Sequence, residues 1–190
     1  MSGNKEGNGM KRKGLLSLGA MLAMLVMLSS CATTREYPPL DTVDSLDLDR
    51  YLGSWYEIAR YQHRFEKNLV GAKADYSLRD DGRIQVVNSG IKGDLEGKVT
   101  SVKAIAWRPD EHFPGRLKVR FFGLFPSDYL VFGLDEEYQW ALVGSDDRDF
   151  LWFLSRTPEV SDDTLDTMKA IAVAQGYDME QLFLVPQKER

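Results

Sequence analysis

The sequence predicts an all-β fold, an eight-stranded antiparallel up-and-down barrel with one C-terminal α-helix packed outside it. Three observations carry this expectation. Eight short runs rich in β-branched and aromatic residues follow one another between Tyr51 and Arg156, a few residues apart, which is the spacing of a meander, sandwich or barrel. Turn formers separate them, most clearly Asp80-Asp81-Gly82, a strong hairpin signal between two such runs. Beyond residue 160 the apolar period changes from two to about 3.6, which marks a helix. Closing eight strands removes the edges that would otherwise pair between chains. It leaves an interior wide enough for side chains or one small ligand.

The runs are 55–62, 70–79, 83–91, 95–108, 116–122, 128–134, 138–143 and 149–156. Pro109 ends the fourth, because proline cannot donate to a ladder. Residues 109–115, with two prolines and Gly115, form a loop, and 145–148 join the last two runs. Ser161 can cap the helix over 161–176, and Asp162 and Asp163 complement its dipole in the first turn. Leu165, Met168, Ile171, Ala172 and Gln175 fall on one stripe, and Gly176 is a good stop. The run 182–185 is a closing strand.

The chain has 190 residues and a net charge of −5, a length that suits one domain. The acidic balance argues against nucleic acid as a partner, since phosphate contacts need clustered Lys and Arg. Cys31 is the one cysteine, and His63 and His112 are the two histidines. An intramolecular disulfide, a multi-Cys zinc site and a His-rich metal centre are therefore not expected, nor is any cofactor.

Residues 1–30 are expected to be a removable signal. Lys11-Arg12-Lys13 is followed by fifteen uncharged residues, 14–28, then Ser29, Ser30 and Cys31. A basic segment, a short apolar run and a small-residue end make a secretory signal, and the run falls short of the roughly 20 apolar residues that span a membrane. An uncleaved N-terminal anchor helix is the alternative. Met10 directly precedes the basic residues and is expected to be the true start. Leu28-Ser29-Ser30-Cys31 resembles the lipobox of bacterial lipoproteins. That resemblance implies a diacylglycerol on the Cys31 sulfur, cleavage just before it and acylation of the new amino terminus. Ala32 then favours the outer membrane. Loss of Lys5, Glu6, Lys11, Arg12 and Lys13 leaves 20 basic and 28 acidic side chains, a net charge of −8. Residues 31–49, with Pro38-Pro39 and several aspartates, are expected to be an extended tether, and 50–186 the barrel domain.

Gly53-Ser54-Trp55 opens the first strand, and Leu154-Ser155-Arg156-Thr157-Pro158 ends the eighth. These resemble the G-x-W signature and the third motif block of the lipocalin family. The second block, T-D-Y in many members, is met only loosely by Asp135-Glu136-Glu137-Tyr138. Together with YSLRDDG, FFGLF and DRDFLWFLSRTPEVSD, the resemblance is to the bacterial outer-membrane branch and covers about residues 40–186. It implies a lipid carrier for fatty acids or lysophospholipids. From the residues alone, Trp55 is a large apolar plug at the closed end. Arg156 lies beside the first strand once the barrel closes, where a guanidinium over the indole is worth about 0.5–2 kcal/mol. Both roles are structural.

The cup lining is harder to read. Phe150, Trp152 and Leu154 share one face of the eighth strand, and Leu151 and Phe153 the other. Tyr129 and Val131 share one face of the sixth, and Leu130 and Phe132 the other. Every face is apolar, so parity does not say which points inward. Tyr129 and Trp152 are expected in the lumen near the open end, against the alternative of burial under the helix. Phe121 to Phe125 carry more aromatic surface than a solvated loop should, and form either a rim touching lipid or a partner or a cover over the core. No catalytic set is evident: no nucleophile elbow of the G-x-S-x-G kind occurs, and the paired aspartates are turn formers first. The expected function is binding and storage or transport of lipid in the envelope, with the membrane reached through acylated Cys31. A solid structural barrel or, less favoured, a lipid-modifying enzyme are the alternatives, and the chain leaves monomer and homodimer both open.

Overall fold

The computed structural model describes residues 37–121 and 124–188. The expected signal segment, Met10 and Cys31 lie outside the described residues. A short helix, α1 (Leu48–Tyr51), is followed by β1 (Gly53–Tyr61), β2 (Leu69–Leu78), β3 (Ile84–Lys92), β4 (Val99–Trp107), β5 (Arg116–Phe121), β6 (Ser127–Leu134), β7 (Trp140–Gly144) and β8 (Leu151–Ser155). Helix α2 (Asp162–Ala174) and β9 (Leu182–Leu184) complete the order. Each of β1 to β7 pairs antiparallel with the next strand, β8 returns to β1, and β9 pairs with β1. The eight strands therefore close, as the sequence predicts.

Closure is shared out along β1. Its first half, Gly53 to Tyr56, pairs with β2, while Ala59 to Tyr61 pair with β9. The C-terminal segment thus fills the gap where β1 and β2 part. Gln187 Nε2 donates to both Glu57 O (2.8 Å) and Ala72 O (3.0 Å), and Gly71 N donates to Pro186 O at 2.7 Å. The closing strand of the sequence reading is this seal.

Two apolar clusters lie on either side of the wall. Trp55, Ala74, Tyr76, Val86, Ala104, Leu117, Val131, Val143 and Leu154 form the barrel interior. Leu130, Phe132, Leu142, Leu151 and Phe153 face outward, where Met168 and Ala172 of α2 cover them. This explains why both faces of β6 and β8 are apolar. The Ser161 side chain accepts from Thr164 N and caps α2 as expected.

The described part of the expected tether, residues 37–49, is not a free linker. Leu40 and Leu46 are 2% and 6% exposed. Leu40 N donates to Asp146 Oδ1, Arg116 Nη2 to Leu40 O, and Val43 N to Val131 O. This strap runs down the barrel flank from the β7–β8 loop to α1 at the base. Leu40, Val43 and Leu46, spaced among prolines and aspartates, supply its packing. Gly115 permits the crossing, because a Cβ there would meet Val131 O at 2.8 Å and Thr42 Cβ at 2.9 Å.

Candidate functional site: the barrel interior

The base is closed by one tightly bonded set. Trp55 is fully buried, and its indole N–H donates to Tyr51 O of α1 at 2.8 Å. The Arg156 guanidinium carbon sits 3.7 Å from the Trp55 ring centroid. Its nitrogens donate to Ser54 O, Arg50 O and Tyr138 O at 3.0, 2.6 and 3.2 Å. One side chain thus ties α1, β1 and the β6–β7 turn to the end of β8. Gly53 has φ +93°, and a Cβ there would lie 3.4 Å from Arg156 Nη1, so glycine suits the turn into β1. Tyr138, of the loosely matched second motif, caps the arrangement: its hydroxyl accepts from Asp47 N, and Arg50 lies 4.1 Å over its ring.

Above this plug three phenols meet. Tyr129 Oη is 2.8 Å from Tyr51 Oη and 3.0 Å from Tyr76 Oη. Burial pushes all three up, so they stay neutral hydroxyls at physiological pH. Tyr129 therefore lies on the interior side, with its hydroxyl at the floor of the lumen and not near the open end. Its long side chain reaches down to α1, which strand parity cannot reveal.

Toward the mouth, one wall carries a buried polar group. Glu57 and Arg60 are 4% and 0% exposed, and Arg60 Nη1 donates to Glu57 Oε2 at 2.9 Å. Arg60 Nη2 donates to Glu66 O and Leu69 O, which pins the β1–β2 loop onto the barrel. Glu66 Oε2 lies 3.1 Å from His63 Nε2 and accepts from the Trp152 indole at 3.2 Å. Burial, reinforced by Glu66, pushes the Glu57 carboxyl up to about 8, against the pull of Arg60. Burial also pushes Glu66 up, but His63, Arg60 and Trp152 outweigh it and hold that carboxylate below its ordinary range. The pair thus divides its labour: Glu57 keeps a proton at neutral pH, and Glu66 carries the charge.

Trp152 is half-buried and packs with the interior cluster. Phe150 stacks on it at 5.7 Å and His63 meets it edge-on at 5.4 Å. It lies inside and toward the mouth, away from α2. The opposite wall is apolar through Val86, Ala104, Val119 and Phe121.

The sequence reading missed Glu57, Arg60 and Glu66. In strict alternation residues 57 and 60 face opposite ways. A register shift between Glu57 and Ala59 breaks the alternation, so both charges enter the lumen together. The available signal was two charged residues within an otherwise aromatic and aliphatic strand. A cleft of about 340 Å³ opens beside the base loops, lined by residues such as Asp81, Arg83, Arg108 and Glu111, and one of about 310 Å³ runs alongside β5 and β6, lined by residues such as Asp110, Arg116, Asp128 and Asp146. Their charge makes them poor sites for an acyl chain. Among the described residues no cluster of three or more His, Cys, Asp or Glu could hold a metal ion, and no helix is long and apolar enough to cross a membrane.

A closed eight-stranded barrel with an Arg-on-Trp base and an outer C-terminal helix defines the lipocalin architecture. The chain belongs to that family: residues 46–187 match the model of the lipocalin-like domain. It is 41% identical over 173 residues to the outer membrane lipoprotein Blc of Citrobacter freundii, covering 91% of this chain and 97% of that one. The Blc of Escherichia coli K12 matches to the same extent. Among solved structures, lobster apocrustacyanin A1 superposes with a TM-score of 0.64 at 15% identity, over 80% of this chain and 91% of that one, a likeness of fold.

Proposed function

We propose that this protein is an outer-membrane lipoprotein whose barrel binds fatty acids or lysophospholipids and stores or transports them in the cell envelope. The observation that carries the reading is Trp152, half-buried in an interior that is sealed at one end and apolar along the opposite wall. An acyl chain fits such a wall, its tail resting on the Tyr51–Tyr76–Tyr129 floor and its head group at the mouth. Cys31 is the acylated residue, and several acyl chains there give a stable anchor where one would be marginal. The 41% identity to proteins named outer membrane lipoprotein supports this location. Trp55 and Arg156 close the base and take no part in binding. The barrel works as a binder without catalysis.

Mass spectrometry of lipid extracted from the purified protein tests the reading directly. Titration with a long-chain fatty acid or lysophospholipid should quench or blue-shift tryptophan emission and saturate near one ligand per barrel. Trp152→Phe keeps an apolar ring and should cost under ~1.5 kcal/mol of stability while removing much of that response. A folded parent that carries no lipid and gives no saturable response identifies a solid structural barrel instead. Turnover of a lipid ester identifies an enzyme.

A further inference from the structure

We infer that the open end of the barrel is a membrane-docking surface, which rests against the phospholipid bilayer in which the Cys31 anchor is embedded. This rests on the anchoring proposed above and adds an orientation to it.

Two exposed apolar groups stand on the mouth loops. Phe65, in the β1–β2 loop, is 64% exposed. Leu124 and Phe125, in the β5–β6 loop, are 57% and 93% exposed. In a closed barrel of eight strands these two loops are four strands apart, on opposite sides of the opening. A flat apolar surface laid across the mouth would touch both at once. Leu78 and Phe113, near the base, are exposed to a similar degree as Phe65, so the rim is set apart by Phe125, at 93% the most exposed large apolar side chain among the described residues, and the Arg64 guanidinium, 4.8 Å from the Phe65 ring centroid, suits a lipid head-group layer.

The strap supplies the third point. Its described end, Tyr37, lies against Arg148 of the β7–β8 loop, 5.1 Å from guanidinium carbon to ring centroid. That loop is also at the mouth. The described strap therefore ends beside the opening, at the far end of the flank from the base. Cys31 is six residues from Tyr37, and six peptide spacings reach at most about 20 Å. So short a lead keeps the mouth end close to the bilayer. Turning the base to the membrane instead would require the lead to run back past the strap, whose ten peptide spacings from Tyr37 to Asp47 span roughly 33 Å when extended. Acidic side chains stand at both ends, Asp135, Glu136, Glu137, Asp110 and Glu111 on the base loops and Asp94, Glu96, Asp147 and Asp149 on the mouth loops, so the orientation is set by the strap and not by charge. A rim seated in the bilayer lets a lipid pass between membrane and lumen without crossing water.

The test uses the acylated full chain in vesicles of phosphatidylethanolamine and phosphatidylglycerol that contain lipids brominated along their acyl chains. The Cys31 sulfur is consumed as a thioether, so a single introduced thiol takes an environment-sensitive fluorophore. Four variants place it: Phe65→Cys and Phe125→Cys on the rim, Phe113→Cys at the base and Val173→Cys on the outer helix. The expected result is at least threefold stronger bromine quenching at both rim positions than at either other. Equal or stronger quenching at Phe113 or Val173, or none at any position, overturns the inference, and so does an acyl-free Cys31. The readout does not depend on lipid binding in the lumen. Quenched rim labels on a barrel that binds no lipid would reject the carrier function and keep the docking. Saturable lipid binding with unquenched rim labels would do the reverse.

Discussion

The base and the mouth of this barrel are built from the same residue types and behave as opposites. At the base an arginine, Arg156, lies on a tryptophan and spends its donors on three backbone carbonyls of three different elements. At the mouth an arginine, Arg60, faces carboxylates, and a tryptophan, Trp152, donates to one of them while half-exposed. The base set joins main chain to side chain, so it is rigid and indifferent to pH. The mouth set joins side chains that can change protonation, so it can respond to its surroundings. One sheet carries a lock at one end and an adjustable wall at the other.

The largest expected effect tests the lock. Trp55→Ala should cost about 3–5 kcal/mol by leaving a cavity under the plug, read as a large fall in the urea midpoint. A loss below about 1 kcal/mol would mean that the base repacks freely.

The next tests the mouth through pH. Glu57 is protonated in the native state up to about pH 8, whereas an unfolded glutamate loses its proton near 4.3. Between these values the native state binds more protons, so stability is full below the lower value and falls as pH rises through the upper one. The slope should approach about 1.4 kcal/mol per pH unit at most. Glu57→Gln should flatten stability against pH from 5 to 8, while Trp55→Ala should leave its shape unchanged. An unaltered slope in Glu57→Gln would show that this carboxyl does not hold the proton.

Arg156→Ala should lose about 1–3 kcal/mol through the cation–π contact and the packing of its stem, and an unchanged denaturation midpoint would make it a mere surface residue. The smallest effect lies between the two ends. Tyr129→Phe removes the hydroxyl shared by Tyr51 and Tyr76, at a cost of about 0.5–1.5 kcal/mol. Because that hydroxyl is at the floor, lysophospholipid affinity should change less than stability. A greater loss of affinity would bring the head group to the floor.

Local patterns were legible in the chain for good reason. Strand periods, Asp-Gly chemistry and the capped helix are set within a few residues, and the G-x-W and closing arginine fall on the two ends that meet at the base. The interior was legible only in part. Trp152 and Tyr129 stood out as aromatic residues, but β8 and β6 are apolar on both faces because α2 covers one of them. The polar mouth group was not legible, since an irregularity between Glu57 and Ala59 decides that Glu57 and Arg60 share a side.

By itself, the sequence determined the order and kind of nearly every element, the eight-strand count, the helix with its Ser161 cap and the pairing of Trp55 with Arg156. Those depend on local backbone preference and on a spacing that brings the chain ends of the sheet together. The tertiary structure alone decided which face became lumen, that the strap from Tyr37 to Asp47 packs against the wall and starts at the mouth, and that Tyr129 reaches the floor. These depend on contacts between residues far apart in the chain, such as Leu40 with Asp146 and Tyr51 with Tyr129. No local preference encodes them: they exist only once closure has brought both partners to one place.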